Sequence, residues 1–98
     1  MIVKLNNDVV AFPDGRLSSN EPDGLLAVGG KLTTEWLLTA YHQGIFPWFN
    51  DDEAEVLWWC PAQRAVIKPG EMRVPRSLRK TIKNCNYEIK ADQRFKEV

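Results

Sequence analysis

The chain has 98 residues, 44% of them hydrophobic, and 13 Lys and Arg side chains balance 13 Asp and Glu to a formal net charge of zero. That balance excludes a uniformly basic coat for nucleic acid. No run approaches the roughly 18–20 apolar residues that span a bilayer, and the length suits one small domain without staples.

Met1 to Asp8 lacks the basic start and apolar stretch of a signal peptide, so the expected location is cytoplasmic. Val9 to Phe12 is a short apolar run stopped by Pro13, Asp14 and Gly15, which predicts a strand end and a turn. Ser18 to Gly24 reads as a second turn. It feeds the apolar segment Leu25 to Val28, which ends at Gly29 and Gly30. The clearest helix is predicted over 34–43, with Thr33 as N-cap, Glu35 in the first turn and Gly44 just past the end. Leu37, Leu38 and Tyr41 lie at helical spacing and are expected to face the core. Glu55 to Cys60 reads as a largely buried strand and Ala65 to Ile67 as the next. Pro75 then suits the first turn of a helix running to about Asn84. Tyr87 to Ala91 alternates apolar and charged residues as a half-buried strand does. Asp92 is placed to cap a further helix, whose apolar face opens with Phe95 and Val98 and stops in mid-pattern. That stop leads us to expect a truncated piece of a longer protein, against the alternative of a frayed natural C-terminus.

The zero net charge hides a division. Residues 1–59 hold three basic side chains against nine acidic ones, and residues 60–98 hold ten basic against four acidic. Such asymmetry points to an anionic partner for the second half. Its centre is the helix after Pro75. At 100° per residue, Arg76, Arg79, Lys80 and Lys83 fall within an arc of about 100°, with Leu78 and Ile82 on the far side. One face is expected to pack while the other forms a positive stripe that attracts phosphates; the plain alternative is a solvated helix face.

Gly44 to Phe49 sets three aromatics around Pro47 directly after a helix. Pro47 pushes Phe46 into an extended conformation, and neighbouring aromatics in a bent segment cannot all face one core. An exposed Trp there would be a stacking platform for a nucleobase; the alternative is that all three plug a small core. Trp58 and Trp59 are adjacent on a predicted strand, so they point to opposite faces. One belongs to this unit's core, and the other needs cover from a second layer or from the missing remainder of the chain. Cys60 and Cys85 are too few and too far apart for a zinc cluster or a redox pair and are expected to be buried or inert free thiols. With a single His there is no metal site. His42 suits the end of its helix, Gly29 and Gly30 read as turn chemistry, and the acidic run Asp51 to Glu55 reads as a solvated loop.

Four ordered blocks carry a resemblance: EPDGLLAVGG at 21–30, LLTAYHQGIFPWF at 37–49, LWWCPAQRAV at 57–66 and RSLRK at 76–80. In order and spacing the chain resembles the N-terminal part of the bacterial leucyl/phenylalanyl-tRNA–protein transferases over roughly residues 10–98. It departs from them at Cys60, where the family usually has Ser, at Ala62 and Gln63, where Asp-Pro is common, and at Lys31, where Asp is common. The resemblance implies an α+β fold: a small N-terminal α+β domain (residues 1–60), then the first strands and basic helix of a truncated GNAT-like domain (residues 61–98). It also implies an aminoacyltransferase that moves Leu or Phe, sometimes Met, from aminoacyl-tRNA to the N-terminal Lys or Arg of acceptor proteins, marking them for degradation. The family needs no cofactor and no metal, and neither a membrane nor DNA is an implied partner. The matching positions imply that Trp48 lines the site for the 3′-terminal adenosine and that Arg76, Arg79, Lys80 and Lys83 grip the acceptor stem. No catalytic residue is implied in this chain, and the fragment alone is expected to be inactive. The competing expectation is a structural or protein-interaction module with a solvated basic helix.

Overall fold

The computed structural model describes residues 2–98, which divide into a first unit ending at Ala65 and a second from Val66 to Val98. The first unit is a small mixed α+β arrangement. Strands β1 (Val3–Lys4), β2 (Leu25–Val28), β3 (Phe46–Pro47) and β4 (Leu57–Trp59) form one sheet in the order β1-β2-β4-β3, and helix α1 (Thr34–His42) connects β2 to β3. β1 pairs parallel with β2, while β2 with β4 and β3 with β4 are antiparallel.

The apolar run Leu25 to Ala27 has a neighbouring strand on each side, and all three residues are buried. Gly29 and Gly30 end the strand at positive φ, 103° and 77°. Gly30 is required for a second reason: a Cβ there would approach the Trp36 ring to 2.9 Å. The turn is pinned by the Gly30 N–H, which donates to Asn7 Oδ1 at 2.8 Å. Helix α1 starts as its sequence predicts, with the Trp36 N–H donating to the Thr33 hydroxyl at 3.3 Å. It closes at Gly44, φ 74°, where the Gly44 and Ile45 N–H groups donate to the Tyr41 and Ala40 carbonyls.

The core of this unit is Leu5, Leu26, Ala27, Trp36, Ala40, Ile45 and Trp58, with Phe12 among the half-buried residues packed on it. Trp36 and Trp58 stack at 6.3 Å between centroids, and Phe12 meets Trp58 edge-on at 4.8 Å. Two expectations are corrected here. Val9 to Phe12 forms no strand, because Val3 and Lys4 occupy the edge of β2 and the run instead lays Val10 and Phe12 over the core. The core-facing residues of α1 are Trp36 and Ala40, one helical turn apart. Leu37 is only half-buried, and Leu38 and Tyr41 are exposed, because the larger Trp36 takes the core position and fixes the helix's rotation.

A 3-10 turn at Gly15–Leu17 is capped by Asp14, whose carboxylate accepts the Arg16 N–H at 2.9 Å and the guanidinium Nη2 at 2.7 Å. Those hydrogen bonds, the side-chain ones first and the backbone one second, hold the Asp14 carboxyl down at about 2. Because the folded value is depressed, the pair stabilises the turn above the ordinary carboxylate range and that stabilisation is lost as pH falls through about 2. Carboxyl NMR should show Asp14 titrating near 2 and moving up toward 3.8 in Arg16→Gln; an unmoved midpoint would refute the pairing.

The second unit holds α2 (Arg76–Asn84) and a 3-10 turn at Phe95–Glu97. Pro75 sits at the N-cap, one residue before its expected place, with its carbonyl accepting the Arg79 N–H at 3.0 Å. Neither Ala65 to Ile67 nor Tyr87 to Ala91 is a strand, since no ladder partner lies beside either. The helix expected after Asp92 is reduced to the 3-10 turn, with Asp92 at φ 59°. Leu78 and Ile82, expected to pack, remain exposed, as does Cys85; Cys60 is half-buried. Among the described residues no helix is long and apolar enough to cross a membrane.

Candidate nucleic-acid interface

The aromatic segment is shaped by the end of α1. Ile45, fully buried, anchors it, and Phe46 and Pro47 then run extended as β3 opposite Trp59 and Trp58. Extended geometry is what Pro47 imposes on the residue before it. At the end of the strand Trp48 is 69% exposed, while Phe46 and Phe49 are half-buried. Of the segment's three aromatics, Trp48 is therefore the one with a free ring face.

Its backbone is held at two points. The Trp48 N–H donates to the Leu57 carbonyl at 3.0 Å, and the Trp48 carbonyl accepts the Trp59 indole N–H at 2.8 Å. The expected division of the Trp58–Trp59 pair is thus present: Trp58 is in the core, its indole donating to the Gly29 carbonyl at 2.7 Å, and Trp59 is half-buried against Trp48. Within the described residues Trp59 is tied locally, by its hydrogen bond to the Trp48 carbonyl. Sequence reasoning missed it; aligning the two short strands as a hairpin, with Phe46 opposite Trp59, would have brought Trp59 to Trp48.

Acidic residues Asp51 to Glu55 lie in the turn between β3 and β4, with Asp51 accepting the Glu53 and Ala54 N–H groups. Glu55 pairs with Lys4 at 3.5 Å. Arg64 donates to the Pro61 carbonyl at 3.0 Å and reaches Cys60 Sγ at 3.2 Å. It is thereby drawn into local structure and apart from the positive stripe.

In the second unit Arg76, Arg79, Lys80 and Lys83 share one face of α2, and the helix carries no acidic residue. None of the four ion pairs found among the described residues includes them. Four cations with no acidic neighbour on the helix leave this face positively charged. Trp48 belongs to the first unit and the four cations to the second.

Residues 30–62, which run from the turn before α1 through Trp48 and past β4, match the leucyl/phenylalanyl-tRNA protein transferase N-terminal domain. A leucyl/phenylalanyl-tRNA–protein transferase of Hydrogenovibrio crunogenus is 52% identical over 94 residues, covering 96% of this chain and 36% of its own length. One from Anaeromyxobacter dehalogenans is 54% identical over 88 residues (90% and 36%), and one from Shewanella baltica 49% over 94 residues (96% and 39%). The chain belongs to the leucyl/phenylalanyl-tRNA–protein transferase family. It spans just over a third of the length of these relatives, and the similarity to the Hydrogenovibrio transferase extends beyond the matched domain into the second unit. Both candidate features, the exposed Trp48 and the basic face of α2, therefore lie in transferase-like sequence.

Proposed function

We propose that the chain is the tRNA-engaging N-terminal part of an aminoacyltransferase. The enzyme transfers Leu or Phe, and in some cases Met, from aminoacyl-tRNA to the N-terminal Lys or Arg of acceptor proteins, which marks them for degradation in the cytoplasm. The observation that carries the reading is a solvent-exposed tryptophan, fixed at the end of β3, in a chain about half identical to named transferases. In this reading Trp48 packs against the 3′-terminal adenosine. Arg76, Arg79, Lys80 and Lys83 hold acceptor-stem phosphates, a sequence-independent grip that lets one enzyme accept different tRNAs. Residues 61–98 open a GNAT-like catalytic domain, and the chain alone is inactive.

The reaction is aminolysis of an ester. The acceptor's α-amine forms a C–N bond to the aminoacyl carbonyl carbon, the ester C–O bond to the adenosine breaks, and the released ribose oxygen takes a proton from the amine. Such a reaction depends on positioning and on a deprotonated amine more than on a covalent nucleophile. What this chain supplies is the positioning: an aromatic platform for the terminal base and cations for the stem.

Trp48→Ala is the direct test. Loss of one base stack costs about 1–3 kcal/mol, so binding of an aminoacylated acceptor-stem minihelix should weaken by roughly 5- to 150-fold. The thermal midpoint should hardly move, because the ring is mostly exposed. Unchanged affinity would remove Trp48 from the site and favour the interaction-module reading.

A further inference from the structure

The geometry points to Trp59 as a positioning residue for the Trp48 platform, a role that rests on the adenosine-binding reading above and deepens it. Three observations converge. Trp48 is the last residue of the segment that β4 holds: Phe46 pairs with Trp59, Pro47 with Trp58, and the Trp48 N–H closes on the Leu57 carbonyl. Beyond it the chain enters the exposed run Asn50 to Glu55. Without a further tie the Trp48 peptide would be held from one side only, and its ring would share the motion of the turn. The tie is the Trp59 indole N–H, 2.8 Å from the Trp48 carbonyl. Trp59 is itself fixed by β4, whose central residue Trp58 is fully buried. The clamp runs from the core through β4 to the exposed ring, and Trp59 contributes its side chain without facing the base.

The indole N–H is a donor only, so a half-buried Trp that spends it on a backbone carbonyl directs that carbonyl. Fixing the carbonyl of residue 48 sets the peptide plane on its C-terminal side, and the ladder bond sets the plane on its N-terminal side. Together they define the direction of the Cα–Cβ bond, which is what a stacking platform needs to meet a base face to face. Trp59 thus decides how much of the time Trp48 presents its ring in the binding orientation.

Trp59→Phe tests this in the 98-residue chain, keeping an aromatic ring while deleting the donor. Adenosine is the probe, with 15N relaxation at Trp48 and exchange of the Trp59 indole N–H as additional readouts. One lost hydrogen bond should weaken adenosine binding roughly three- to tenfold and raise fast backbone motion at Trp48. Amide shifts around Leu26, Trp36 and Trp58 should stay in place, which a general loss of structure would not allow. Binding within twofold of the unsubstituted chain, with Trp48 equally ordered, would overturn the role. If the variant does not fold, the unsubstituted chain decides: a Trp59 indole N–H exchanging as fast as a free indole overturns the clamp, and protection relative to the exposed Trp48 indole supports it. Failure of the unsubstituted chain to bind adenosine would instead sink the tRNA reading of Trp48, and the clamp would still be judged by order and exchange.

Discussion

Trp58→Ala is expected to unfold the first unit. The side chain is fully buried, stacks on Trp36, meets Phe12 and donates to the Gly29 carbonyl at 2.7 Å. Truncating a buried aromatic costs about 3–5 kcal/mol, and leaving a buried carbonyl unpaired adds about 1–3 kcal/mol. Against the roughly 5–15 kcal/mol that stabilises a small domain, the sum is a large fraction of the total or all of it. Far-UV circular dichroism and the dispersion of the amide spectrum should show loss of native structure at 25 °C. Trp58→Phe retains much of the ring contact and loses the donor, so it should remain folded with a lower urea midpoint. A Trp58→Ala chain with a cooperative transition near the unsubstituted midpoint would show that the aromatic cluster is not what holds the sheet to α1.

The second large effect concerns charge. With Arg76, Arg79 and Lys80 all changed to Ala, minihelix binding should fall by about a hundredfold near 0.1 M salt, and the slope of log Kd against log salt should shrink by about two to three. Alanine is a better helix former than the residues it replaces, so α2 should persist and the loss should be electrostatic. Fluorescence anisotropy at four salt concentrations measures both quantities. Equal slopes for the two proteins would reduce the positive face to a solvated surface.

The residues that set element ends were the most legible. Thr33, Glu35 and Gly44 framed α1 to within a residue, and Pro75 with its basic run framed α2, because capping and proline geometry are local. The strands were less so. Val3–Lys4 and Phe46–Pro47 are two residues long, and a strand of that length exists only through its partner. Tyr87 to Ala91 shows the converse, a good alternating pattern with no partner and hence no strand. Rotation of α1 was misjudged for a related reason: Leu37, Leu38 and Tyr41 make a plausible stripe, but one tryptophan against Phe12 and Trp58 outweighs them. At the candidate site the residue types were visible in sequence, whereas the choice of Trp48 as the exposed ring and the Trp59 contact depend on hairpin register.

Both borders of the sheet end in residues that discourage further pairing. On one side β1 is two residues long and includes Lys4, whose charge is engaged with Glu55; on the other, β3 is Phe46 and Pro47, and proline has no N–H to offer an incoming strand. A neighbouring molecule seeking to extend the sheet would find too few free groups in a row at either border to zip onto. Growth by strand addition, the route by which small sheets become fibrils, is disfavoured at the β3 border by the missing N–H of Pro47 and at the β1 border by the shortness of the strand.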